Sequence, residues 1–427
     1  MKLVEAYASR LNKADELYKR THRGESLSED KKYVIARSLE NLKVLFKEGL
    51  GTGSVTQVGW GADNTDMKRT CTNIATVTIP NLIAHDLILV KAMSSIHAIV
   101  RYFKFVSAET KGNIKEGTLF NSPFSLGEMS ADRMRYTSRD VVESLTTGTQ
   151  TLKYNPTETT VKFVDKVSGA ESTLTVTNGN EVTLVSDGDV YYSYDNVSVP
   201  QYGTPKLKAV METIHLEAKV RRIETYFSQL SAIQLKLEEG EDLENLLSVQ
   251  AVSELKYEQD AEVVRLLVDN AVEYTSLSFT KSSYTPGFKN QHYASFVTNI
   301  ESLSQKIYEK TGKYHANILL CSADIIPIFA VSENWKASSK VGVGSYFAGT
   351  YNGRKVFVSA VVPTNTVVAL FNGDDLMTSS AILGEFIPIA PTSLLVGADG
   401  TSQKGFATMY DLQLLNKALL AKIVVKE

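Results

Sequence analysis

Apolar and polar positions change period several times along the chain, and each change marks an element. The longest uniform stretch, Glu241 to Asn270, contains no Gly or Pro. Leu243, Leu246, Leu247, Val252, Leu255, Val263, Leu266 and Leu267 recur in it at roughly helical spacing, with Glu244, Ser248, Glu254, Glu258 and Arg265 between them. About thirty residues at about 1.5 Å each predict a rod of roughly 45 Å, long enough to brace a flat or extended body. Gly240 and the carboxylates of Glu238, Glu239, Glu241 and Asp242 stand at its start, where negative charge favours the positive end of the helix dipole. Leu247 and Leu255 are expected to be buried against a sheet.

Upstream, residues 1–20 predict an amphipathic helix with Leu3, Val4, Tyr7, Leu11, Ala14 and Leu17 on one face. A second helix starts after Ser28, an N-cap residue followed by Glu29 and Asp30, and carries Val34, Ile35, Leu39, Leu42, Leu45 and Phe46. Gly49, Gly51 and Gly53 end it. These residues read as a helical arm on a hinge, with too little core to stand alone. From Ala75 the chain turns apolar and β-branched, predicting a short helical turn at 81–87 between strands and a strand over 96–106 that leads outward. Residues 107–145 are polar and aperiodic, an extended loop. Over 150–200, Val161, Phe163, Leu174, Val176, Val182, Leu184, Val190, Tyr192 and Tyr194 alternate with polar residues, and Asn178-Gly179 and Asp187-Gly188 are hairpin-turn dipeptides. That predicts a small β subdomain. Residues 213–221 alternate strictly, one half-exposed strand, and a short helix over 224–237 returns the chain to the rod.

After the rod comes an α/β stretch. Phe296, Val297, Ile300, Leu303, Ile307 and Tyr308 predict a helix closed by Gly312; Asn317–Cys321 is a buried strand; Ser322 or Asp324 caps a helix with Pro327 in its first turn. Tyr351-Asn352-Gly353-Arg354 predicts a hairpin turn before the strand Val356–Ala360, Val367–Phe371 is another strand, and 405–426 a last pair.

Composition narrows the classes. The chain has 427 residues, 43% hydrophobic and 22% charged, with a net charge of −3. It can bury a large core, and its charge does not suggest a nucleic-acid binder. It has no run of about eighteen apolar residues to span a membrane, and the N-terminus lacks the apolar segment of a secretory signal. Cys71 and Cys321 form neither a disulfide framework nor a metal set, which fits folding in a reducing cytosol. His22, His85, His97, His215, His292 and His315 show no metal-ligand spacing. His85 beside Asp86 has the composition of a base and its orienter, but a histidine beside an apolar strand is more often packed or solvated. Gly342-x-Gly344 lacks the third glycine of a dinucleotide loop, Ser345 lies outside a Gly-x-Ser-x-Gly elbow, and Glu238–Asp242 is better explained as a helix start than as a cation site. No catalytic, cofactor-binding or metal-binding residue and no cofactor is assigned.

Several stretches, in order, resemble the major capsid proteins of tailed bacteriophages, most nearly the contractile-tailed myovirus branch. They are Pro80-Asn81-Leu82-Ile83-Ala84 with Asp86 and Val90-Lys91-Ala92-Met93; the phrase Glu241–Leu255; Ala316 to Ser322; Gly349 to Gly353 with Val356 and Val358; Phe386-Ile387-Pro388; and Gly405 to Tyr410. Lys91-Ala92 departs from the Gln-Pro expected there, and residues 1–65 and 150–200 match nothing in the pattern.

The resemblance implies an α+β, Hong Kong 97-type capsid fold with a small all-β insertion. Its parts map as a helical N-terminal arm (1–65), the first part of the P-domain (66–106), an E-loop (107–222) carrying the insertion at about 145–205, the P-domain with its spine helix 241–270 (223–290), an A-domain (291–403), and closing P-domain strands (404–427). It implies self-assembly as hexamers and pentamers into an icosahedral head around double-stranded DNA, held on the inner face without sequence specificity. Scaffold, portal and decoration proteins are the further partners. Assembly is expected in the host cytoplasm, with the arm retained in the virion. Lys111 and Lys115 lie in the loop where some capsids crosslink covalently; ionic contact with a neighbour is the expectation here. On the alternating strand, Glu217, Lys219 and Arg221 are expected to set register with a neighbouring subunit. The alternatives are an encapsulin-type nanocompartment, which would need no β insertion, and an α/β enzyme with a β-rich accessory domain. The enzyme needs a converging acid, base and nucleophile that the sequence does not offer.

Overall fold

The computed structural model describes residues 2–21, 24–47, 82–118, 136, 139–194, 206–238, 243–284, 288–338, 344–376, 378–391, 395–397 and 400–426. The architecture is mixed α/β. The chain divides into two compact units, one of Met1–Val100, Ile214–Tyr308 and Lys313–Glu427, the other of Arg101–Thr213 with Glu309–Gly312. The strand expected just before residue 81, the glycines at 49, 51 and 53, Gly342, Cys71 and the residues 239–242 lie outside the described residues.

The chain opens with α1 (Lys2–Ala6), α2 (Ala8–Thr21) and α3 (Glu29–Lys47). Ser28 caps α3 as expected, its Oγ accepting the Lys31 N–H at 3.3 Å. The arm does not hang free. Leu11, Ala14, Ile35, Leu39 and Leu42 share a core with Ile387 and Ala390, and Asn41 Nδ2 donates to the carbonyls of Met93 (2.8 Å) and Phe386 (2.7 Å). The physical reason is the one that made it look dependent: two amphipathic helices cannot bury their stripes on each other alone.

Next come α4 (Ala84–Leu87), β1 (Leu89–Ala92) and β2 (His97–Ser107). The second unit contains β3 (Asp140–Leu145), β4 (Gly148–Thr151), β5 (Thr160–Asp165), β6 (Glu171–Thr175), β7 (Glu181–Leu184) and β8 (Gly188–Ser193). These form a four-stranded sheet, β3-β8-β5-β6, and a pair, β4-β7. Their inward residues Val141, Leu152, Val161, Phe163, Val182, Leu184, Val190 and Tyr192 make one core. Two expectations are corrected. Residues 140–145 are a strand, not loop. Asp187-Gly188 is not a hairpin turn, because β7 and β8 belong to different sheets; Gly188 is required because a Cβ there would lie 2.4 Å from the Phe163 ring.

The predicted strand at 213–221 is two strands. β9 (Leu207–Glu217) pairs with β2, and β10 (Lys219–Ser228) pairs with β19 (Thr401–Leu414) from Lys219↔Tyr410 onward. The break falls at Ala218, whose N–H donates to the Ile96 carbonyl at 2.9 Å. Alternation tells which face is buried, not which strand is the partner. The expected helix at 224–237 begins only at 229, as α5 (Gln229–Glu238), and leads to α6 (Leu243–Asn270), the predicted rod.

The remaining elements are β11 (Val272–Glu273), α7 (Lys289–Thr311), β12 (Ile318–Cys321), α8 (Ile326–Ala330), β13 (Trp335–Ala337), β14 (Tyr346–Tyr351), β15 (Arg354–Val358), β16 (Thr366–Leu370), β17 (Ala381–Pro391), β18 (Leu395–Val396) and, beyond β19, β20 (Leu420–Val424). The hairpin between β14 and β15 turns on Asn352 (φ 48°) and Gly353 (φ 80°), the left-handed pair its sequence predicts. Seven strands form one sheet in the order β11-β20-β16-β12-β15-β14-β13. One face packs on Phe296, Ile300, Leu303 and Ile307 of α7, the other on Val263, Val264, Leu267 and Val268 of α6. Burial on both faces explains the unbroken apolar runs of β12 and β16. A second sheet runs β1-β17-β19-β10, with β18 also on β19. Ala251 and Leu255 of α6 pack on its Ile389 and Phe406. The expected closing pair is therefore split, β19 in one sheet and β20 in the other. The boundaries expected at 106/107, 222/223 and 403/404 each fall within a strand.

Candidate assembly surface

The chemistry weighed in the sequence does not converge. His85 is buried, and Asp86 does not orient it, since adjacent helical residues point apart. Asp86 instead accepts the Tyr18 hydroxyl at 2.7 Å and pairs with Lys31, tying α2 and α3 to α4. His85 Nε2 lies 3.6 Å from Glu385 Oε2. Burial, with the nearby Lys31 charge, pushes the imidazole down to about 3. Burial alone holds the Glu385 carboxyl up to about 7. Asp260 is likewise held up to about 7 by burial, while accepting the Ala84 N–H at 3.0 Å. The cleft beside them is lined by Tyr18, Glu25, Lys31, His85, Asp86 and Lys355. Its two lysines pair with Asp86 and Glu25. These pairs fasten the arm to the body. Among the described residues, no group of three or more His, Cys, Asp or Glu side chains is placed to hold a metal ion. Ser345 Oγ donates to Ser359 Oγ at 2.8 Å, and Gly344 sits before β14.

Of the four basic residues singled out as intersubunit contacts, Lys111 and Arg221 are engaged within the chain, and Lys115 and Lys219 are exposed. Lys111 is buried, its ammonium donating to the Tyr136 carbonyl at 2.9 Å and lying 5.3 Å from the Tyr194 ring centroid. Burial pushes it below the usual lysine range. Lys115 is exposed. Arg221 forks onto Glu262 of α6, Nη2 to Oε2 at 2.7 Å and Nε to Oε1 at 3.3 Å. Its guanidinium stacks 3.9 Å from the Tyr410 ring centroid. It fastens β10 to the rod. Lys219 and Glu217 remain exposed, the Glu217 N–H donating to Asp411 Oδ2 at 3.1 Å.

Apolar side chains also face outward. On the β2-β9 ribbon Ile99, Phe103, Phe105, Leu207 and Met211 are all more than half exposed. Helix α5 buries no residue at all, and with its flanks it exposes Tyr226, Leu230, Ile233, Leu237, Leu246 and Val249. Scattered exposed apolar residues are normal, but contiguous ones mark surfaces that await a partner. The alternating ribbon was legible in sequence. The α5 surface was not, because a short helix over 224–237 gives no sign in its sequence of which face stays uncovered.

Apolar side chains left exposed together on a well-packed mixed α/β body mark a surface that meets a partner. The chain belongs to the family of Gp23 major capsid proteins, whose model matches residues 64–424. The major capsid protein of Vibrio phage KVP40 is 22% identical over 227 residues, which are 47% of this chain and 43% of that protein, so the match spans less than half of the relative's length. Among solved structures, the capsid of the Myoviridae phage XM1 is 10% identical with a TM-score of 0.36, covering 67% of this chain and 86% of that one. Microbacterium phage Oxtober96 gives 9% and 0.41, covering 81% and 91%. The SrpI encapsulin of Synechococcus elongatus gives 11% and 0.35, covering 51% and 77%.

Proposed function

We propose that the chain assembles as hexamers and pentamers into the icosahedral head of a tailed phage, acting by assembly and not by catalysis. The observation that carries this, beside the family, is the β2-β9 ribbon. It is a long two-stranded excursion whose exposed Phe103, Phe105 and Met211 have no core of their own to enter. A two-stranded ribbon is marginal alone, and an apolar exposed edge invites aggregation unless something covers it. A neighbouring subunit that covers it in every copy answers both needs under closed symmetry. In this reading the fold is of the Hong Kong 97 type. Helices α1–α3 serve as the N-terminal arm and the excursion Arg101–Thr213 as the E-loop bearing the β insertion. The five-stranded sheet with α6 serves as the P-domain, and the seven-stranded sheet with α7 as the A-domain. Scaffold and portal proteins guide assembly in the host cytoplasm, decoration proteins bind the outside, and packaged double-stranded DNA lies inside without sequence-specific contact.

Electron microscopy of the purified chain, alone and with its scaffold, tests the proposal. Rings or closed shells are expected. A monodisperse monomer at high concentration that stays inert with scaffold present would overturn it.

A further inference from the structure

Helix α5 has two apolar faces, and only one is used. Ala232 and Leu235 are half-buried toward the body, while Leu230 is 79%, Ile233 57% and Leu237 81% exposed. At about 100° per residue the three exposed residues fall within an arc of about 60°, opposite Ala232 and Leu235. Their i, i+3, i+7 spacing is that of a coiled-coil seam, in which each side chain packs between residues of a facing helix. Beside the seam Gln234 is turned along its own helix, its Nε2 donating to Glu238 Oε1 at 3.0 Å. The helix is otherwise poorly placed to be bare: two leucines about four-fifths exposed on one stripe cost solubility, and no core cluster among the described residues includes them.

From this seam we infer that α5 packs against α5 of a second copy of the chain, about a rotational symmetry axis of the assembled particle. The inference rests on the assembly reading above. Size argues for a second copy over an unrelated partner. Three side chains on a ten-residue helix cover far less than the ~800 Å² per partner of a free-standing interface. A helix this short also holds no coiled coil by itself. Such a contact forms only between bodies already held close by larger surfaces, where the effective concentration is high. Neighbouring subunits of one shell meet that condition. A symmetric contact also needs no second, complementary surface, because the seam matches itself.

Ile233 sits midway between Leu230 and Leu237, so it meets its own counterpart whether the two helices run parallel or antiparallel. Shells assembled from an Ile233→Cys chain should therefore yield disulfide-linked pairs on a non-reducing gel under mild oxidation. Wild-type shells, which control for Cys71 and Cys321, should not, and neither should the dilute unassembled variant. Shells without that cross-link overturn the inference. So does a cross-link that appears only when Phe103→Cys accompanies Ile233→Cys, because the occupant of α5 is then a neighbour's ribbon. Leu230→Ser with Leu237→Ser supplies an independent reading, since both residues are exposed and the chain should fold as before. The concentration needed for assembly should rise about tenfold, the equivalent of about 1.4 kcal/mol. An unchanged threshold counts against the contact. A wild-type chain that forms no shell overturns the assembly reading and this contact with it; shells that form without the cross-link overturn the contact alone.

Discussion

Leu247 and Leu255 lie on one helix and stand in different surroundings. Leu255 is 2% exposed and packs with Ala251 on Ile389 and Phe406, whereas Leu247 is only half-buried. Leu255→Ala should cost about 2–5 kcal/mol, and Leu247→Ala clearly less, by denaturant unfolding. Arg221 offers a second contrast. Arg221→Ala breaks a forked, ring-stacked bond to Glu262, and a loss of about 1–3 kcal/mol is expected. Lys219→Ala, at an exposed site, should stay within about 0.5 kcal/mol. The buried carboxyls carry a pH dependence. Glu385 is raised from its ordinary value near 4.5 to about 7. The folded chain thus keeps a proton that the unfolded chain releases, and stability falls as pH rises through that window. Asp260, also raised to about 7, acts in the same sense. His85, lowered to about 3, acts in the opposite one, losing stability as pH falls below its ordinary 6.5. Glu385→Gln should shallow the fall between about pH 4.5 and about pH 7, and adding Asp260→Asn should leave only the opposing rise from His85 below about pH 6.5, as read from unfolding midpoints across that range.

At the scale of elements, α6 is one helix with two environments. Its C-terminal half is enclosed, with Val263, Val264 and Leu267 fully buried. Its first turns expose Leu246 and Val249. Amide exchange should accordingly be slowest around 261–268 and markedly faster over 243–250 in the unassembled chain. Uniform fast exchange along the whole helix would contradict the packing. The β insertion has a core of its own, Val141, Val161, Phe163, Val182, Leu184 and Val190 among it. Replacing 140–194 with a short Gly-Ser linker should leave the first unit soluble and cooperatively folding. Insoluble protein would mean that the insertion supports more than itself.

For the whole molecule, the proposed assembly places the contact on the exposed apolar residues of the ribbon. Phe103→Glu with Met211→Glu should give a chain with unchanged melting that forms no shells. Full-sized shells from that variant would remove the ribbon from the interface. Reversing Arg221 would be a poorer test, because its partner Glu262 lies in the same chain.

Local information was enough for much of the fold. The rod, the capped α3, the Asn352-Gly353 hairpin and the strands β12 and β16 were all legible. Each is dictated by period, cap or turn chemistry within a few residues. So was the existence of a small β subdomain, from alternating strands about ten residues apart. Partnership was not legible. Which sheet receives β10, that β19 and β20 part company, that β7 and β8 lie in different sheets, and that the arm docks on Ile387 and Ala390 are all decided by contacts distant in sequence. A period of two or of 3.6 states which face is buried and is silent on what buries it. The same limit governed the site. Sequence showed that Arg221 was a charge on an alternating strand and that Leu230, Ile233 and Leu237 were apolar. Only the tertiary structure, by filling one partner's place and leaving the other open, decided that the arginine is spent inside the chain and the helix face is not.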